Sequence, residues 1–253
     1  MLVLVVESAT DTAAVALADD DGPLGSLVLA RGRRHTETIA PAIEILCSRV
    51  GVVLGDLDAV GIDVGPGLFT GLRVGVGTVK ALSFALDLPV VTATSLEVLA
   101  HALACSGPAH GQLLVPVVDA RRSEVFSATF RVEGGSAVPD RTGKSGGERL
   151  WVPDFLAAHL AGRSEPREPL ILMGDGALRY AALFAGLPGV TVAGPLYAAP
   201  PVAALAELCQ ARALAGLVHE GDDVMPRYLR QADAKINWGQ RVAPRPAPAG
   251  SGE

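Results

Sequence analysis

The sequence has no run of basic residues, and its formal net charge is −6. A chain of that sign does not grip a polyanion across its whole surface. If it serves a nucleic acid, another protein must do most of the holding. Cysteine is scarce: Cys47, Cys105 and Cys209 lie far apart, each in an apolar helical context. An odd, scattered set excludes a disulfide framework and a zinc-finger spacing, and the reducing cytoplasm is the expected location. Leu2–Val6 at the start carries no basic leader, long apolar region or cleavage site, so no signal peptide is expected. One uncharged stretch, Tyr180–Ala206, is long enough for a bilayer. It is broken by Pro188, Pro195, Pro200 and Pro201 with glycines between them, which excludes a continuous spanning helix. Among His35, His101, His110, His159 and His219 no pair has His-x-x-x-His spacing. His-Glu-x-x-His and Gly-x-Ser-x-Gly are missing as well, which argues against a zinc peptidase and a serine hydrolase. No metal ligand set and no catalytic residue is expected.

What is present is apolar substance: 49% of the 253 residues are hydrophobic and 19% are charged, the balance of a folded chain with a substantial core. Three short apolar runs open the sequence, Leu2–Val6, Ala13–Ala18 and Gly25–Leu29, the last two joined by the turn Asp19-Asp20-Asp21-Gly22-Pro23. Helical spacing of Ile39, Ala42, Ile43, Leu46 and Val50 predicts a helix over Thr36–Val50. A strand at Ala59–Val64, a helix at Thr70–Leu86, a strand at Pro89–Thr92 and a helix from Ser95 to Cys105 follow. After a hinge around residues 105–111 the pattern restarts, with strands at Leu113–Val118 and Glu124–Val132 and a surface loop over Gly134–Glu148. Further helices are expected at Pro153–Leu160, Ala177–Phe184 and Pro201–Leu217, and further strands at Leu170–Met173 and Val190–Ala193. Two α/β lobes are therefore expected, residues 1–104 and 105–232, with a loose Pro/Ala/Gly-rich tail over 233–253.

Four motifs stand out in order: Val5-Val6-Glu7-Ser8-Ala9-Thr10-Asp11; His35-Thr36-Glu37; Gly65-Pro66-Gly67-Leu68-Phe69-Thr70-Gly71-Leu72-Arg73-Val74-Gly75; and Asp119-Ala120-Arg121-Arg122-Ser123-Glu124-Val125-Phe126. Gly174-Asp175-Gly176 and Pro226-Arg227-Tyr228-Leu229-Arg230 support them. In this order they resemble the TsaB (YeaZ) family over roughly Leu2–Ala234, and the glycine motif carries most of the specificity. The resemblance implies two ribonuclease-H-like lobes of the actin, sugar-kinase and Hsp70 superfamily. It also implies a non-catalytic subunit in the synthesis of N6-threonylcarbamoyladenosine at position 37 of tRNA. The implied partners are the transferase TsaD, whose family is marked by a His-x-x-x-His metal helix, and a TsaE-type ATPase. A second copy of the chain takes TsaD's place when the chain is alone, and tRNA is reached mainly through the complex. ATP is used by the complex, and no cofactor is assigned to this chain. The alternative is a nucleotide-binding carbamoyl transferase or kinase-like enzyme in its own right. Two departures from the family pattern bear on that: Glu7 where Asp is usual, and Leu68 where Ser is usual.

The glycine helix admits three readings. Gly71, Gly75 and Gly77 each cost about 0.5–1 kcal/mol relative to alanine in a helix interior, so something must approach closely. It is a partner helix, a phosphate at the helix N-terminus next to Gly65 and Gly67, or another element of this chain. The resemblance favours docking through the two N-lobe helices, with His35, Ile39, Ile43, Leu46, Thr70, Gly71, Arg73, Val74, Gly75 and Thr78 as contact residues and Arg73 as anchor. Glu7, Gly65 and Gly67 form the nucleotide or phosphate set. For Glu7 the other reading is a turn carboxylate satisfied by the backbone amides of Ser8–Asp11. The basic residues Arg121, Arg122, Arg227, Arg230, Lys235, Arg241 and Arg245 read either as a tRNA contact or as a solvated face and tail.

Overall fold

The computed structural model describes residues 1–29, 35–107, 111–140, 147–162 and 168–230; the expected tail and Lys235, Arg241 and Arg245 lie outside them. The first sheet contains β1 (Val3–Glu7), β2 (Ala13–Asp19), β3 (Gly22–Leu29), then, after helix α1 (His35–Val50), β4 (Ala59–Asp63), and, after α2 (Phe69–Leu86), β5 (Val90–Ala93); α3 (Ser95–Cys105) follows. Its order is β3-β2-β1-β4-β5. The first three strands are antiparallel, and β4 and β5 run parallel to β1.

The second half repeats the plan with β6 (Leu113–Arg121), β7 (Glu124–Ser127), β8 (Phe130–Glu133), β9 (Ser136–Pro139) and β10 (Arg149–Trp151). It continues with α4 (Pro153–Ala161), β11 (Leu170–Met173), α5 (Asp175–Arg179), α6 (Ala181–Phe184), β12 (Val190–Val192) and α7 (Val202–Leu214). The expected single strand Glu124–Val132 is two, because β6 pairs with β7 at its far end and with β8 at its start. Part of the expected surface loop is β9, hydrogen-bonded to β8. Among the described residues the second sheet runs β10-β7-β6-β11-β12, again with β6, β11 and β12 parallel.

The central strands are apolar without alternation because both of their faces are covered. Leu4 and Val6 of β1 point toward α1 and α2, whereas Val3 and Val5 point toward α7. In β6, Leu113, Val115 and Val117 face α4 to α6, and Leu114 and Val118 face α3. This is the two-residue period of a strand read on both sides.

The helices do not respect the expected boundary at residue 104. Leu96, Leu99 and Leu103 of α3 join the core of the second sheet, while Leu205, Ala206 and Cys209 of α7 join the core of the first. The boundary therefore separates the sheets and not the helices. Together α3 and α7 form the layer between the lobes, linked by Arg212 Nη2 and Glu97 Oε1 at 2.9 Å.

Candidate functional site

Between the lobes lies a cavity of about 140 Å³, lined by Thr10, Gly67, Asp119 and Asp175 among others. Pockets that bury organic ligands run to about 300–1,000 Å³; this cavity is smaller, and a second one of about 490 Å³ adjoins it, lined by Asp11, His35, Thr70 and Arg121 among others. Arg121 borders both. Its Nη2 reaches Asp11 of the first lobe at 3.1 Å and its Nη1 reaches Asp119 of the second at 3.2 Å. Both Arg121 and Asp11 are about half exposed, a setting in which an ion pair contributes about 0–1 kcal/mol. The latch is thus weak enough to open.

Arg121, Arg122 and Ser123 turn the chain with φ of 63°, 54° and 60°, a left-handed conformation costing about 1–2 kcal/mol at each non-glycine residue. Relieving one of them stabilises the chain. Ser123→Gly should raise stability by about 1 kcal/mol, read as a rise of about 2–4 °C in a thermal melt for a chain of this size.

Glu7 is not in this cavity. It is 1% exposed at the end of β1, and its Oε1 accepts a hydrogen bond of 2.8 Å from the Ala9 amide. This is the geometry of the turn-carboxylate reading, and Glu7 lines neither of the two cavities beside Arg121. It does have a carboxylate partner, which sequence reasoning missed. Asp63, fully buried at the end of the adjacent parallel strand β4, lies beside Glu7, close enough for the two carboxylates to share a proton. Asp63 Oδ1 also accepts from the Gly65 amide at 2.7 Å and Ser95 Oγ at 2.9 Å. Burial first, and then the neighbouring Asp63 charge, hold the Glu7 pKa well above the ordinary range; burial also raises Asp63. Glu7 Oε2 and Asp63 Oδ2 are both buried without a donor, and one shared proton held by Glu7 would satisfy both.

Gly65 and Gly67 belong to the same junction. Gly65 takes φ +98°, and a Cβ there would stand 2.9 Å from Leu72 Cδ1; a Cβ on Gly67 would meet the Ala9 carbonyl oxygen. Their packing against the first lobe accounts for both glycines, although Gly67 also borders the cavity.

The helix glycines resolve in the same way. A Cβ on Gly71 would collide with the Ser8 carbonyl oxygen and one on Gly75 with Ser8 Oγ. Ser8 Oγ donates to the Gly71 carbonyl at 3.0 Å. The close approach is made by the β1–β2 turn of this chain, so Gly71 and Gly75 are not a groove open to a partner. Four other expected contact residues are also interior. Ile39, Ile43 and Leu46 are 2–6% exposed in the first core, and buried His35 places Nε2 3.1 Å from the Thr10 carbonyl oxygen, pinning the head of α1 to the β1–β2 turn.

The rest of the expected set lies outward or half-buried: Thr70 and Arg73 are exposed, Val74 and Thr78 intermediate. The Arg73 guanidinium lies 4.0 Å over the Phe69 ring, and its Nε donates to Tyr228 Oη at 3.3 Å. The free small residue is Gly77, whose Cβ would meet nothing within 4 Å. Arg73, Gly77, Ala81 and Phe84 make one exposed stripe along α2. Phe84 is 92% exposed, and Ile45 on neighbouring α1 is 52%. No helix among the described residues is long and apolar enough to cross a membrane.

Comparison with known proteins places this geometry. A family model described as TsaD, tRNA N6-adenosine threonylcarbamoyltransferase, matches residues 29–145. The Bacillus subtilis tRNA threonylcarbamoyladenosine biosynthesis protein TsaB is 26% identical over 246 residues, covering 94% of this chain and 98% of that protein. An uncharacterized Mycobacterium tuberculosis protein is 34% identical over 235 residues, 92% of this chain and 93% of its own length. The crystal structure of YeaZ from Pseudomonas aeruginosa superposes with a TM-score of 0.75 at 25% identity, over 90% of this chain and 99% of that one. A Thermus thermophilus ROK hexokinase shares the fold alone, with a TM-score of 0.50 at 15% identity over 86% and 99% of the two chains. Near end-to-end similarity to TsaB in sequence and to YeaZ in structure agrees with the motif order, and the chain belongs to the TsaB (YeaZ) family.

Proposed function

We propose that this chain acts in tRNA threonylcarbamoyladenosine synthesis as a non-catalytic subunit, docking on TsaD through the outer faces of α1 and α2. The observation that carries the reading is apolar surface left without cover: Phe84 stands in solvent on the same exposed face of α2 as Gly77, and Ile45 is half exposed on α1. Aromatic anchors surrounded by small residues suit a protein interface, where a few such side chains supply most of the affinity. A supporting role is also consistent with the strand-end carboxylates Glu7 and Asp63, which are buried away from solvent. In this reading TsaD supplies the bond-making chemistry and a TsaE-type ATPase joins the assembly. A second copy of the chain covers the same stripe when TsaD is missing, and tRNA is contacted mainly by the assembly, in the cytoplasm.

The test is reconstitution with purified components. The chain alone, given tRNA and ATP, should form no modified adenosine, and its addition to TsaD and the ATPase should be required for product. Product from the chain alone would make it an enzyme and end this reading. Phe84→Asp should leave the melting curve unchanged and weaken TsaD binding by about 2 kcal/mol, roughly thirtyfold, as loss of an aromatic anchor does; unchanged affinity would move the interface elsewhere.

A further inference from the structure

Three side chains outside the cleft and the docking stripe converge where α3 meets α7. His101 and Cys105 are four residues apart on one face of α3, and Glu207 projects from α7 toward them. Cys105 Sγ lies 3.5 Å from His101 Nε2, and His101 Nε2 lies 3.8 Å from Glu207 Oε2. The three ligand atoms all fall within 4.8 Å of one another.

Tetrahedral zinc, with Zn–S of about 2.3 Å and Zn–N of about 2.0–2.1 Å, separates sulfur from nitrogen by about 3.5–3.6 Å and nitrogen from oxygen by about 3.3 Å. The sulfur–nitrogen distance already matches. The nitrogen–oxygen distance is a few tenths of an ångström long, within reach of a rotation of the half-exposed Glu207 side chain. A thiolate, an imidazole and a carboxylate form a set that selects zinc over the hard cations magnesium and calcium.

We propose that His101, Cys105 and Glu207 bind one zinc ion, with water in the fourth position and the Cys105 thiol proton released to solvent on binding. The ion would join the helix packed on the second sheet to the helix packed on the first, alongside the Arg212–Glu97 pair. Its role is then to hold the two lobes at a fixed angle. The histidine–cysteine spacing was legible in the sequence; the third ligand, on a distant helix, was not.

The untagged full chain, stripped with a chelator, would be titrated with zinc chloride against a chromophoric competitor and separately with cobalt chloride. One zinc per chain is expected, and the cobalt form should show a thiolate-to-metal charge-transfer band. Cys105→Ser and Glu207→Gln lie at exposed positions and keep the fold, which circular dichroism verifies. Each should weaken zinc binding by at least the roughly 10–100-fold that loss of even an outer partner costs such sites, and Cys105→Ser should abolish the cobalt band. Absence of stoichiometric binding, absence of the band, or equal affinity in either variant overturns the site. This result is independent of whether TsaD binds.

Discussion

Gly71→Ala should cost the isolated chain about 3 kcal/mol, near the upper end of what overpacking costs, whereas Gly77→Ala on the same helix should gain about 0.5–1 kcal/mol. The two substitutions add the same methyl group to the same element, so helix propensity alone predicts the same gain for both. What separates them is the neighbour. At Gly71 the new carbon meets the backbone carbonyl of Ser8, which cannot rotate away, and moving it would break the buried bond from Ser8 Oγ to the Gly71 carbonyl. At Gly77 the methyl enters open space. Gly75→Leu should be worse still, with Ser8 Oγ and Ile62 Cδ1 both in its way, and should give little folded protein. Urea unfolding of the alanine pair reads the difference directly. Equal stability changes at the two positions would mean that the β1–β2 turn does not press on α2 as described.

The second large effect is on pH. Glu7 and Asp63 both have folded-state pKa values raised above their ordinary 4.5 and 3.8 by burial. In that case the native state holds protons that the unfolded chain has already released. The stability contributed by the pair is fully present below the unfolded values and is lost as pH rises through the folded ones. Glu7→Gln keeps an oxygen for the Ala9 amide and offers Asp63 an N–H that no pH removes. Thermal melts from about pH 5 to about pH 9 should therefore fall with pH more steeply in the parent chain than in Glu7→Gln. A parent slope no steeper than that of the variant would exclude the shared proton. Asp63→Ala, in contrast, strands the Gly65 amide and the Ser95 hydroxyl at about 1–3 kcal/mol each, and should be destabilised at every pH.

Strands, helices and their order were readable because apolar runs, helical spacing and Gly/Pro breaks are local properties. β1, β4, α1 and α2 lie within a residue or two of where the pattern puts them. What could not be read is which neighbour each surface meets. The glycines of α2 announce a close approach, yet a glycine cannot state whether the approaching backbone is its own or another's, and the answer here was Ser8. Ile39, Ile43 and Leu46 have the spacing of any buried helical face, whether it covers a sheet or a partner. Asp63 passed as the tail of an apolar strand, because its pairing with Glu7 requires knowing that β1 and β4 are adjacent and parallel in the register Val6 to Ile62. The crossing of α7 to the first sheet and α3 to the second depends in the same way on topology, which leaves no periodic trace. Four expected contact residues, Thr70, Arg73, Val74 and Thr78, remain at or near the surface, on the side of α2 where Gly77 and Phe84 emerge.

Gly77→Leu puts a bulky side chain on the outward stripe without touching the interior, so binding of this variant to purified TsaD separates docking from folding. The wild-type chain should co-elute with TsaD in size-exclusion chromatography, and Gly77→Leu, with a melting temperature at or above that of the wild type, should elute apart from it. Co-elution of Gly77→Leu with TsaD at wild-type strength would contradict docking through α1 and α2.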